Sequence, residues 1–284
     1  MKKILAVAAI LLLTGCASGI IPKGAHNSWL PSETPEIITK PRYNELPGMR
    51  GPAGPPITVA VYSFTDKTGQ KKPNDKFSTF SSAVTQGSEV FLIKALQDAG
   101  NGKWFKPVER VGLDDLIKER QLIRNQRETY EGKEAKPLAP MLVAGIMLQG
   151  GVIGYDSNVG SGGMGARFLG IDGNTQYRTD EVSVIIRLVS VHTGEVLLSS
   201  GASKTIYSVN TSANVLKFLD AGTKALEFEA GATINEPSTY AVRIAIEAAV
   251  VDLIKQGVQK KLWEFAPLTE EEIAKQANRK GTMK

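Results

Sequence analysis

Between Tyr207 and Gly231 the side chains switch between apolar and polar with a period of two, and no other feature constrains the chain as much. Tyr207, Val209, Thr211, Ala213 and Val215 alternate with Ser208, Asn210, Ser212 and Asn214. After the turn signal Asp220-Ala221-Gly222, a return arm sets Leu226, Phe228 and Ala230 against Glu227, Glu229 and Gly231. Successive side chains of a strand point to opposite faces of a sheet, so both arms read as strands of one hairpin. The apolar face is thin, and the other is wet with Asn, Ser, Glu and Gly. Arms of about ten residues with that asymmetry suit a transmembrane β-barrel. They suit an exposed hairpin on a soluble sheet equally well, because a single barrel strand carries a weak signal. A glycine-rich stretch beginning at Asn158 has the same hairpin character.

The start of the chain is an address. Lys2 and Lys3, the apolar run from Ile4 to Leu13 and the small residues before Cys16 make residues 1–15 a signal peptide. Leu13-Thr14-Gly15-Cys16 resembles a lipobox, at which bacterial lipoproteins are cleaved and acylated on the cysteine. Cys16 is the only cysteine among 284 residues, so no disulfide forms within the chain. Ala17 follows, where an aspartate would favour retention at the inner membrane, so the expected location is the outer membrane, facing the periplasm. Residues 16–56 hold eight of the 14 prolines and read as a lipidated, extended tether.

From Ile57 the pattern changes to alternating strands and helices. Strands are predicted at 57–64 and 104–109, helices at 82–99 (stopped by Gly100) and from Leu113 to about Arg124, and a charged loop at 125–140. Met141 to Tyr155 is too β-branched for a surface segment and too glycine-rich for a helix, so it is a central strand. Two apolar strands flank His192-Thr193-Gly194, a hairpin turn between Val182 and Leu198. Glu236-Pro237 opens a long helix to Leu262, its stripe of Tyr240, Ile244, Val251 and Ile254 packing on the sheet. The fold class is therefore α+β, with each candidate membrane hairpin an extension of the soluble sheet. The division is 57–157 as an α/β domain, 158–181 and 204–234 as the two hairpins, 182–203 as strands between them, and 235–284 as C-terminal helices.

The chemistry-bearing motifs are few. Gly160 to Gly165 satisfies G-x-G-x-x-G, but no helix opens after it, since Ala166 to Ile171 runs straight into the turn Asp172-Gly173-Asn174. His26 and His192 stand alone and Cys16 carries lipid, so no metal cluster and no cofactor is expected. No nucleophile and base pair up, which argues against an enzyme. The formal charge of +5 falls to about +3 without Lys2 and Lys3, too weak and scattered for nucleic acid. The loop at 65–80 is more informative. It sets Phe77 and Phe80 among Lys, Asn, Asp, Ser and Thr, directly before a helix, where they could serve as a hydrophobic staple or as an aromatic collar.

Asp66-Lys67-Thr68-Gly69-Gln70, Phe80-Ser81-Ser82-Ala83-Val84, Trp104-Phe105 with Glu109-Arg110 and Gly112-Leu113, Ile153 to Val159, Ser161-Gly162-Gly163 with Gly165-Ala166-Arg167, and Asn235-Glu236-Pro237 resemble the curli production assembly/transport component CsgG family. The resemblance runs in order over most of the mature chain. It implies an outer-membrane channel that exports unfolded curli subunits without ATP. Its periplasmic domains would form a homo-oligomer of nine subunits, each giving two hairpins to one barrel. A periplasmic adaptor and an extracellular-side accessory protein would be its partners. The family's constriction loop carries a tyrosine, an asparagine and a phenylalanine. The phenylalanine falls on Phe80 and the asparagine on Thr79, while the tyrosine has no counterpart: Asn74 or Asp75 lies nearest, and Phe77 would supply a second aromatic ring. On this reading Asn210, Ser212, Glu227 and Glu229 line the lumen, and Val209, Val215, Leu226 and Phe228 meet lipid. The alternative is a scaffold or binding lipoprotein of the outer membrane that forms no channel.

Overall fold

A computed structural model describes residues 40–69, 84–161, 176–211, 215–221, 226–227 and 237–270. Five strands form its mixed sheet: β1 (Ile57–Asp66), β2 (Phe105–Val108), β3 (Ile146–Ser161), β4 (Gln176–Ser190) and β5 (Val196–Thr211). Their order is β2-β1-β3-β4-β5, and β6 (Val215–Ala221) and β7 (Leu226–Glu227) continue it beyond the far end of β5. β1 pairs in parallel with β2 and β3, whereas β3, β4 and β5 form an antiparallel meander. The helices are α1 (Glu45–Gly48), α2 (Ser88–Asp98), α3 (Leu113–Glu131) and α4 (Pro237–Gln259).

One face of the sheet makes the core. Val182, Val184, Ile186 and Leu188 alternate inward along β4, and Leu148, Val152, Leu198 and Ile206 join them from its neighbours. Against this face lies α4, which is apolar on nearly every side, as a helix buried all round must be. Ala241, Ala245 and Ala249 are small enough to let its backbone approach, and Val242, Ile246, Val250 and Leu253 fill the space around them. The predicted stripe is part of this: Ile244, Val251 and Ile254 are buried and Tyr240 is partly so, and the sides outside the stripe are buried too. In α2 the core contacts come from Leu92, Ala95 and Leu96, with Phe91 only partly buried.

The expected extended tether through residue 56 ends sooner, because the chain from Pro41 onward is packed on the body. Leu46 is completely buried. Glu247 of α4 accepts the backbone N–H groups of Arg42 (2.8 Å) and Tyr43 (2.6 Å), and its other oxygen accepts Arg243 Nε at 2.9 Å. Farther along, Trp104 Nε1 donates to Arg50 O (2.6 Å), and Ala53 N and Gly51 O bond with Glu264 O and Ala266 N. Outside α1 this proline-rich sequence is extended because it lies across a surface, not because it is solvated.

Other boundaries move for local reasons. α2 begins at Ser88 and not at Ser82, since Thr85 and Gln86 spend their side chains on backbone bonds ahead of its N-cap Gly87. α3 runs seven residues past Arg124 to Glu131. Asn125 to Glu131 contains neither Gly nor Pro, so nothing stops the helix until Gly132, at φ +65°. β3 begins at Ile146, because Met141 to Gly145 arrives as an extended return from α3 without strand partners. The turn at His192-Thr193-Gly194 forms where expected, closed by Gly194 N to Ser190 O at 2.9 Å, with Gly194 at φ +74°.

Candidate functional site

The three long strands outlast the core. Tyr155, Asp180 and Ile206 are the last buried residues before the ladder leaves the cover of α4, and Asp156, Ser157 and Asn158 are all exposed. The pairing does not stop there. β3 and β4 stay in register to Ser161 opposite Gln176, and β4 and β5 to Tyr177 opposite Val209. Six residues past Tyr155 carry the ribbon roughly 20 Å beyond the core. At the junction Tyr155 Oη donates to Asp180 Oδ1 at 2.8 Å, a buried bond that ties β3 to β4. The sequence signal was present: Asp180 falls on the inward parity of Val182, Val184, Ile186 and Leu188, where a polar residue needs a partner.

β5 does not run on to the turn at Asp220. The chain reverses between Thr211 and Val215, so that β6 folds back on β5 with Val209 opposite Lys217, Asn210 opposite Leu216 and Thr211 opposite Val215. It reverses again to bring Glu227 opposite Asp220 and Leu226 opposite Ala221. The expected single long arm is thus corrected to a three-stranded meander. Three intervening residues suffice for a hairpin loop, and the small residues Ser212, Ala213 and Asn214 kept the alternation formally unbroken.

The segment predicted to carry the aromatic collar departs from β1 and returns at Val84. Its two feet are joined. Asp66 Oδ1 accepts Thr68 N at 2.8 Å and Thr68 Oγ1 at 2.7 Å, and Asp66 Oδ2 accepts Gln86 Nε2 at 3.3 Å. Gln86 Nε2 also reaches Val84 O at 3.0 Å, and Val84 is buried. Lys67 N donates to Val152 O at 2.9 Å, which seats the departing foot on β3. A single carboxylate therefore holds both ends of the segment beside the point at which β3 leaves β1.

Cys16, Asn74, Asp75, Phe77, Thr79, Phe80, Ser212, Phe228 and Glu229 lie outside the described residues. Val209, Asn210, Val215, Leu226 and Glu227 lie on the ladder just given. Among the described residues no helix is long and apolar enough to cross a membrane, and no group of three or more His, Cys, Asp or Glu is placed to hold a metal.

A mixed sheet backed by a buried helix, prolonged by a bare antiparallel ribbon, defines an α+β protein whose distinctive part is a strand extension and not a pocket. The family description "Curli production assembly/transport component CsgG" matches residues 43–283. The chain is 40% identical over 267 residues to the curli production assembly/transport component CsgG of Salmonella typhimurium, covering 93% of this chain and 92% of that one. Its counterpart in Escherichia coli (strain K12) is 39% identical over the same length, and that of Citrobacter koseri 40%. The chain belongs to the CsgG family, a family of transport components and not of enzymes.

Proposed function

We propose that this chain is the subunit of an outer-membrane channel that lets unfolded curli subunits diffuse from the periplasm to the cell surface. The observation that carries the reading is the ribbon: β3, β4 and β5 stay hydrogen-bonded after their core has ended. In water Asp156, Ser157 and Asn158 of this extension stand exposed, whereas in a bilayer a closed antiparallel sheet is one of the two structures that satisfy their own backbone. Acyl chains on Cys16 would anchor the subunit, each buried CH₂ contributing roughly 0.8 kcal/mol. A ring of nine copies with four strands each gives about 36, which matches the largest barrel size known.

In this mechanism the segment between the Asp66 and Gln86 feet forms the collar, with Phe80 and Thr79 narrowing it and Phe77, Asn74 and Asp75 replacing the absent tyrosine. A narrow collar passes an extended chain and rejects a folded one. Its aromatic faces make brief contacts that tolerate any sequence, and weakness is essential because tight contacts would stop transit. A periplasmic adaptor would close the vestibule and confine the cargo, so that regained chain entropy favours exit, and an accessory protein would receive it outside. Asn210, Ser212, Glu227 and Glu229 keep the wall wet, and Val209, Val215, Leu226 and Phe228 meet the lipid.

Single-channel conductance of the lipidated, detergent-extracted protein in planar bilayers tests this. A large, steady conductance that rises in Phe80→Ala is the expected result. No conductance from a well-formed oligomer would refute the channel and favour a scaffold lipoprotein. Phe228→Lys should cost roughly 2–4 kcal/mol near the bilayer midplane, and normal assembly of that variant in outer membranes would remove Phe228 from the lipid face.

A further inference from the structure

The arm between β2 and β3 has no task in the channel reading. α3 contributes no buried residue, so burial does not explain why it stays folded against the return segment. Three arginines do. Arg110 Nη2 donates to Leu142 O at 2.8 Å, Arg120 Nη2 to Ala139 O at 2.7 Å and Arg127 Nη1 to Lys136 O at 3.0 Å. The accepting carbonyls recur every third residue, the period of a polyproline II helix, and Pro137 and Pro140 favour that conformation. Arg120 and Arg127 are two turns apart on α3, a rise of about 10.5 Å. Three polyproline II residues span about 9.3 Å, so the rungs fit both backbones.

Between the two rods lies a cleft of about 440 Å³, large enough for a ligand. A guanidinium has five donors, and Arg120 and Arg127 each commit only part of theirs to the ladder. Arg124 and Lys136 also line the cleft, Ile117, Ala135, Pro137, Leu138 and Met141 give it an apolar floor, and Glu128, 3.5 Å from Arg124, is the one carboxylate in its lining. Four cations against one acid, along a groove walled by an extended strand, select an anionic and extended occupant.

We infer that this cleft is a docking site for an acidic, extended segment of a second, soluble protein. Charge-assisted bonds from arginine to carboxylate are strong and geometrically specific, which suits a partner that stays and not a chain in transit. The topology gives that partner access. The arm joins β3 at Ile146, and the ribbon ends at Ser161, roughly 50 Å farther along the strand. In the channel reading this turns the arm away from the membrane; that placement rests on the reading, while the cleft does not.

The test is fluorescence anisotropy of labelled hexaglutamate with the full-length lipidated protein in detergent, at 50 and 150 mM NaCl, with hexalysine as control. The comparison is a variant carrying Arg124→Glu and Lys136→Glu, side chains that make no rung of the ladder. The expected result is salt-sensitive binding that weakens at least tenfold in the variant at unchanged helix content by circular dichroism. If the variant loses helix content, Arg124→Gln alone should still weaken binding several-fold. Absence of binding by the wild type, or equal binding by both proteins, overturns the inference. So does binding to phosphatidylglycerol vesicles without binding to hexaglutamate, which would make the arm a membrane contact. Conductance in the same preparations separates the two proposals: a conducting pore that ignores the peptide sinks the docking site alone, and peptide binding without conductance sinks the channel alone.

Discussion

Replacing Glu247 by alanine should detach the N-terminal strap. The Glu247 and Arg243 side chains are only 5% and 9% exposed, and Glu247 also receives the amides of Arg42 and Tyr43. Removing one partner of a buried ion pair costs about 3–5 kcal/mol, because the remaining charge is left in a poor solvent. The loss is capped, since the strap can lift and let water satisfy Arg243 and both amides, so the lower end applies. A local destabilisation of about 3 kcal/mol raises the open population roughly 150-fold. The assay is trypsin cleavage after Arg42, which requires the strap to leave α4 and follows the open population when reclosing outpaces cleavage. Glu247→Ala should be cut about two orders of magnitude faster than wild type. Glu247→Gln retains an acceptor oxygen and should fall between them. Cleavage of Glu247→Ala within threefold of wild type, at an unchanged urea midpoint, would refute the argument that this carboxylate holds the strap.

Lys255 pairs with Glu45 and holds its carboxyl below the ordinary value of 4.5; burial opposes this, and the Tyr43 hydroxyl adds to it. A depressed acid stabilises the fold above its ordinary range, and the contribution is lost as pH falls through the folded value. Burial raises Tyr43 above 10.0, and the neighbouring Glu45 raises it further, so its contribution is complete below pH 10 and fades above it. The protection factors of the strap amides should therefore fall at both extremes, modestly because Glu45 and Lys255 are nearly half exposed, and Glu45→Gln should flatten the acid limb. A Cβ at Gly257 would overlap the Trp263 indole, so Gly257→Ala should cost about 1–3 kcal/mol and red-shift Trp fluorescence as Trp263 Nε1 leaves Ile254 O. Tyr155→Phe should lower stability by about 1–3 kcal/mol, read as a lower thermal midpoint.

What was legible in the sequence follows from how local each cause is. β1 and β2 could be read because β-branched and aromatic runs have one use in a short segment, and the turn at Gly194 because φ there is positive. α4 could be read from Pro237 onward, but not its burial on every side, which depends on what packs outside the sheet. The strap was misread for the same reason. Prolines at 41, 52, 55 and 56 favour an extended chain, and distant partners decide what that chain lies against: Glu247, about 200 residues away, with Trp104, Glu264 and Ala266. Asp66 shows no role in the sequence, since its partner Gln86 lies beyond a segment whose length hides the pairing. Alternation from Tyr207 to Val215 located strands and missed the reversal between Thr211 and Val215, because small residues continue a period-two pattern as readily as they interrupt it.

The edges of the sheet carry the last step. β2 is four residues long and contains Pro107, so that edge is too short and too poor in donors to recruit another strand. The ribbon is different. β1 accompanies β3 only as far as Asp66 opposite Val152, and from Ile153 to Ser161 β3 pairs, among the described residues, with β4 alone. On its far side β6 pairs with β5 over just Tyr207 to Thr211. Among the described residues no strand lies beside β3 on that side past Val152, and in hydrocarbon each unsatisfied backbone group costs several kcal/mol. In the channel reading a single chain would not meet that cost across a bilayer, whereas identical copies would, the open side of β3 in one meeting the last hairpin of the next in a closed ring. Insertion should accordingly depend on oligomer formation, and a variant that reaches the outer membrane stably as a monomer with its ribbon protected from exchange would show that the edge is satisfied in some other way.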